Sequence, residues 1–267
     1  MVMTTVAANC FSQVNSQEYL ELADSADSYI AQELWDKAEK TLVKALRLEP
    51  ANFHNSLLLS NLGIVQMKKE EYDKALESFN LALAIAPSSS VIYNNRASVL
   101  LLKEDTGAAK DDLLRSLEID PGQEWPLQTL ALIYLSAYED DEARNRLSKL
   151  RDLFPENPVA YSGLATLATR NGDTEEALQL YRKALEIKPD DPETLSAYVY
   201  LLIETDRYSE ARGILRKAIE EYPEYAMFYL LRGYLHRLNY RSQEAEADKK
   251  TAIQKGLDAE YVKSFIP

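Results

Sequence analysis

Alanine and proline return through this chain at a fixed interval. Ala38, Ala75, Ala109, Ala143, Ala177, Ala211 and Ala245 are separated once by 37 residues and then five times by 34. Pro50, Pro87, Pro121, Pro155, Pro189 and Pro223 keep the same step, 37 and then 34 four times. A period of this length belongs to an array of small units, none of which can bury its apolar face alone, so that the core is shared between neighbours. With 46% hydrophobic residues the chain has enough apolar surface for such a core.

Residues 158–191 give the clearest unit. Asn157 is placed to cap a helix, with Pro158 at its first position, where the missing N–H costs nothing. Tyr161, Leu164, Ala165 and Ala168 follow at helical spacing. Asn171-Gly172 closes that helix through a left-handed residue. Asp173 with Glu176 three residues later has the form of a capping box for a second helix, whose face is Ala177, Tyr181 and Ala184 and which Pro189 ends.

Seven such units start at Tyr19, Ser56, Ser90, Glu124, Pro158, Pro192 and Ala226. Small residues recur at the eighth position (Ala26, Gly63, Ala97, Ala131, Ala165, Gly233) and large ones at the twenty-fourth (Leu42, Phe79, Leu113, Leu147, Tyr181, Leu215). Small positions let helix backbones approach and large ones fill the space between them. Tyr93-Asn94-Asn95-Arg96-Ala97, followed by Ala109 and Pro121, and the unit at 158–191 resemble tetratricopeptide repeats.

The resemblance implies an all-α fold: a right-handed α-solenoid of about seven helix-turn-helix repeats with a short C-terminal capping helix. The chain then divides into an N-terminal segment 1–15, a repeat array 16–257 and a cap 258–267. Three features depart from the regular pattern. Three extra residues fall around Ala51–Asn55, Leu150 replaces a small residue, and the last unit carries Lys249 at its twenty-fourth position. Gly256 ends the last helix of the array. Asp258 caps a final helix over 259–265, and Tyr261 and Phe265 are expected to cover the end.

The net charge of −13 opposes binding to nucleic acid and to anionic lipid surfaces. Cys10, the one cysteine, excludes an internal disulfide framework. No apolar run reaches the ~18 residues of a membrane span. Residues 1–13, MVMTTVAANCFSQ, are uncharged and apolar without a basic start. They read either as the remnant of a signal peptide, which implies a periplasmic or exported protein, or as an ordinary terminus of a cytoplasmic one.

No catalytic, metal-binding or phosphate-binding motif is present, and no cofactor is implied. His54 and His236 stand far apart, and His236 reads as a packed residue. In tetratricopeptide proteins the first helices of successive repeats line a concave groove. Carrying those positions over selects Asn94, Asn95, Trp125, Gln128, Tyr200 and Tyr234. The amides suit an extended peptide backbone, and the rings suit binding anchors. Each also has a packing reading: asparagine as an inter-helix tie, an aromatic leaning on its neighbour, Trp125 anchoring a helix start beside Pro126. The cations of a carboxylate clamp are missing, since Ser60, Ile64, Trp125 and Thr129 stand where that clamp needs lysine, asparagine or arginine. Capture of chaperone tails is therefore not expected. The expected function is a non-enzymatic scaffold that binds a peptide or protein segment in its groove. The alternative is a structural subunit of a larger assembly, such as an envelope complex, packing through its convex face or ends.

Overall fold

The computed structural model describes residues 16–266. The readings made above for residues 1–13, Cys10 included, lie outside this range. Among the described residues there are fifteen helices and no strand. Fourteen pair into hairpins: α1 (Gln17–Ala31) with α2 (Trp35–Leu48), α3 (Asn55–Lys68) with α4 (Tyr72–Ile85), α5 (Ser90–Leu102) with α6 (Thr106–Ile119), and α7 (Glu124–Ser136) with α8 (Asp140–Leu153). The remaining pairs are α9 (Pro158–Asn171) with α10 (Thr174–Ile187), α11 (Pro192–Glu204) with α12 (Tyr208–Glu221), and α13 (Ala226–Leu238) with α14 (Ser242–Gln254), followed by α15 (Ala259–Phe265). The described residues form two compact units, 16–126 and 127–266, with the boundary inside α7.

Each hairpin turns in the same way. The fifteenth residue of every repeat has a positive φ: Glu33, Glu70, Glu104, Tyr138, Gly172, Asp206 and Tyr240. The next residue's N–H donates back to the carbonyl of the eleventh, as from Leu34 to Tyr29 at 2.9 Å and from Arg241 to His236 at 2.9 Å. This bond closes a Schellman-type helix end. Gly172 adopts the conformation without penalty, whereas the six other side chains oppose it by about 1 kcal/mol each. Asn157 caps α9 as expected, accepting from the Val159 N–H at 2.9 Å. The capping box at Asp173 does not form. No side-chain bond caps α10, because the Asp173 carboxylate instead accepts from Asn171 Nδ2 at 3.3 Å.

In the first unit, Ala38, Leu42, Ala45, Leu58 and Val65 form one core, and Phe79, Ala82, Ile92 and Val99 another. Gly63 lies close against the Phe79 ring, and a Cβ there would stand 2.7 Å from it. The three extra residues widen the α2–α3 connection. It is held by Asn52, whose Nδ2 donates to Glu49 at 2.7 Å, and by Asn55, which donates to the Glu49 carbonyl at 2.7 Å and accepts from the Tyr19 hydroxyl at 2.9 Å. Arg96 on α5 grips the buried Asp112 on α6 through Nε and Nη2 at 2.7 and 2.6 Å. The second unit repeats this arrangement with Arg232 on α13 and Asp248 on α14, at 2.9 and 2.6 Å.

The second unit's core runs from Ala165 and Leu178 through Tyr198 and Leu202 to Leu215, Phe228 and Leu235. The helix at 259–265 forms where the sequence placed it, and Asp258 caps it by accepting from the Tyr261 N–H at 2.8 Å. The expected pair seals the end only in part. Val262 and Ile266 are buried against Leu230 and Ala252, Phe265 packs half-buried against the same cluster and meets Tyr200 and Tyr234, and Tyr261 is exposed. Both pairs have the same spacing of four residues, and the register differs by one.

Candidate functional site

The residues selected from the sequence fall in both units. In the first, Asn94 and Asn95 lie half-buried on α5, one turn from the helix start. Asn94 Nδ2 donates to Gln123 Oε1 at 2.7 Å, and Asn95 Nδ2 donates to Ser60 Oγ at 3.4 Å. Trp125, at the second position of α7, is 40% exposed. In the second unit Gln128 accepts from Asn157 Nδ2 at 2.9 Å. Asn94 and Gln128 occupy the fifth positions of consecutive repeats, and each bonds to the residue just before the following unit. Their amides tie one hairpin to the next, which matches the packing reading of these side chains.

The aromatic residues are arranged differently. Tyr200 on α11 and Tyr234 on α13 flank the Phe265 ring, with centroid separations of 5.7 and 5.3 Å, and Tyr261 meets Phe265 from its own helix at 6.0 Å. The Tyr234 hydroxyl donates to Glu204 at 3.0 Å. Beside this cluster lies a pocket of about 380 Å³, walled by Tyr200, Tyr261 and Phe265 and floored by Met227 and Leu231, with Ser196 at its edge. Ser196 Oγ is engaged with the Glu193 carbonyl at 2.8 Å. The pocket is thus apolar and flexible at its base, where methionine adapts to shape, and rigid at its aromatic walls. Met227 was within reach of the repeat pattern. Tyr261 and Phe265 were legible as a terminal helix and not as walls of a pocket.

Burial raises the Tyr200 hydroxyl above the ordinary range. Burial, followed by the Glu204 carboxylate, pushes Tyr234 up to about 12 from 10.0. Between these two values the folded chain holds a proton that the unfolded chain has released. Tyr234's contribution to stability is therefore complete below pH 10 and is lost as pH rises through about 12. Urea unfolding followed from pH 9 upward should show a steeper loss for the native chain than for Tyr234→Phe. Parallel curves would contradict this assignment.

Among the described residues no group of histidine, cysteine, aspartate or glutamate is placed to hold a metal ion, and no helix is long and apolar enough to cross a membrane. Four family models described as tetratricopeptide repeat match residues 56–89, 91–123, 129–192 and 168–233. No curated protein sequence matches the chain. Among solved structures, a tetratricopeptide repeat protein from Parabacteroides merdae is 26% identical with a TM-score of 0.71, covering 94% of this chain and 98% of its own. PilF of Pseudomonas aeruginosa is 18% identical with a TM-score of 0.65, over 79% of this chain and 96% of its own. YrrB, described as a tetratricopeptide protein with an unusual peptide-binding site, is 19% identical with a TM-score of 0.55, over 71% and 97%.

Proposed function

The chain belongs to the tetratricopeptide repeat family, and from that premise we propose that it is a non-enzymatic scaffold that holds an extended segment of a partner protein against α11 and α13. The family and its solved relatives support a protein-interaction role in general terms. The observation that carries the finer reading is the aromatic-walled pocket at Tyr200, Met227 and Phe265, which is open to solvent and sized for one or two apolar side chains. A binding surface that exists before the partner arrives leaves most of the ordering cost to the partner. YrrB, described as holding a peptide-binding site, provides a precedent within the same fold.

The Asn94, Asn95 and Gln128 amides serve the array in this reading, because each is already hydrogen-bonded within it. Trp125 stays a candidate contact on account of its exposure. Against a partner purified from the source cell, Tyr200→Ala and Phe265→Ala should each weaken binding by about 2 kcal/mol or more, roughly thirtyfold in Kd. Asn94→Ala should act mainly on thermal stability. Undiminished binding by both aromatic variants, with helix content intact by circular dichroism, would sink the proposal.

A further inference from the structure

A second cavity, of about 250 Å³, opens between α12 and α13 and shares no residue with the aromatic pocket. Its floor is apolar, with Leu215 and Leu235 buried and Ile219 half-buried. Its walls carry four arginines, Arg212, Arg216, Arg232 and Arg241, against a single carboxylate, Glu220. Arg232 is committed to Asp248. The side chains of the other three make no hydrogen bond or ion pair among the described residues, and all three residues are exposed. Arg212 and Arg216 stand one helical turn apart on α12, a like-charge spacing that costs stability.

The preceding hairpin shows what this arrangement replaces. One repeat earlier the place of Arg212 is held by Leu178 and that of His236 by Leu202, both fully buried, so the equivalent space is filled. There the counterpart of Arg216, Arg182, donates to the Tyr198 hydroxyl at 2.7 Å, and the counterpart of Arg241, Arg207, pairs with Glu175. In the last hairpin Arg232 stands in place of Tyr198 and Ser209 in place of Glu175. The arginines are kept while Tyr198 and Glu175 are replaced and the apolar filling is withdrawn; Glu210, which also pairs with Arg182 at 3.4 Å, keeps its counterpart in Glu244, to which Arg216 makes no bond. Packing gives no reason for this, and in a chain of net charge −13 the local excess of cations is more marked still.

We propose that this cleft is a second binding site, for a phosphate monoester carried on a short apolar body. Planar guanidinium groups match phosphate oxygens in pairs. Three free cations facing one carboxylate favour a dianion over a monocarboxylate. The apolar floor calls for a ligand with an apolar part, which inorganic phosphate lacks, and the volume admits one head group and no extended chain. His236 stands on the same wall with its Nε2 3.7 Å from the Asp248 carboxylate, and burial lowers its pKa.

The ester can come from a free small molecule or from a phosphorylated side chain of a partner protein, and one titration separates the two. The whole chain is titrated with phenyl phosphate, phenol, inorganic phosphate, and a short tyrosine peptide with and without phosphate, followed by calorimetry and thermal melting. Phenyl phosphate should bind at least about tenfold more tightly than phenol or inorganic phosphate and should raise Tm. Arg212→Leu, which restores the residue of the preceding hairpin, should lose about tenfold in affinity or more, with Tm unchanged or higher. Binding of the phosphopeptide at least as tight as that of phenyl phosphate identifies a modified partner, and its exclusion identifies a free ester. The proposal is overturned if phenyl phosphate binds no better than phenol. It is overturned equally if Arg212→Leu with Arg216→Leu binds as the native chain does, or if Arg212→Leu melts as early as a core variant.

Discussion

Phe79→Ala is expected to lower the unfolding free energy by about 3–5 kcal/mol. The ring is wholly buried and packs against Gly63. Gly63→Ala alone should cost about 1–3 kcal/mol, because its Cβ meets fully packed ring atoms that cannot withdraw. The two changes are coupled through one volume: once the ring is gone, a methyl group at position 63 fills part of the space. The double variant should therefore be more stable than the sum of the single losses implies. Urea unfolding of the four proteins measures this, and additivity within about 0.5 kcal/mol would show that Gly63 and Phe79 do not act through their contact.

The second large effect concerns the arginine–aspartate pair that occurs once in each unit. Removing Arg96 leaves Asp112 buried without its counter-charge. Arg96→Met should cost about 2–3 kcal/mol, less than the ~3–5 kcal/mol of a fully buried pair because the guanidinium is partly exposed. Replacing both partners, as Arg96→Met with Asp112→Leu, should recover much of the loss, since no unpaired charge remains. Thermal melts decide the matter. If the double variant is as unstable as the single, the pair's hydrogen bonds rather than its charges hold α5 to α6.

Much of this architecture was readable in advance because packing leaves a periodic trace. Gly63 and Phe79 stood out as the small and large members of the eighth and twenty-fourth positions, and Asp258 and Gly256 located α15 by cap chemistry alone. The hairpin turns were visible only at Gly172. Glutamate, aspartate and tyrosine occupy the same left-handed position in six other repeats, and their identities carry no such signal. Asp173 had the form of a cap, yet Asn171 competes for its carboxylate. The candidate site divided along a similar line. Sequence position marks which side chains belong to a repeat's first helix, but it does not show that Asn94 and Gln128 spend their amides on neighbours. Nor does it show that Phe265 reaches Tyr200, 65 residues earlier in the chain and two hairpins back. The arginine cleft did have a signal. Arg216 and Arg241 repeat Arg182 and Arg207 while Tyr198 and Glu175, which bond to the earlier two, become Arg232 and Ser209, and only a comparison of one repeat against the next exposes it.

The placement of α15 constrains how this chain can evolve. Repeat arrays ordinarily gain or lose units at little structural cost, because each hairpin touches only its neighbours. Here the helix that seals the last hairpin through Val262 and Ile266 also supplies Tyr261 and Phe265 to the pocket beside Tyr200. A hairpin inserted after Lys255 would carry those two rings away from Tyr200 and Met227 and open the pocket on one side. A hairpin duplicated ahead of α9 would leave it untouched. Copy number is therefore free to drift on the N-terminal side of the pocket and is held fixed on the C-terminal side.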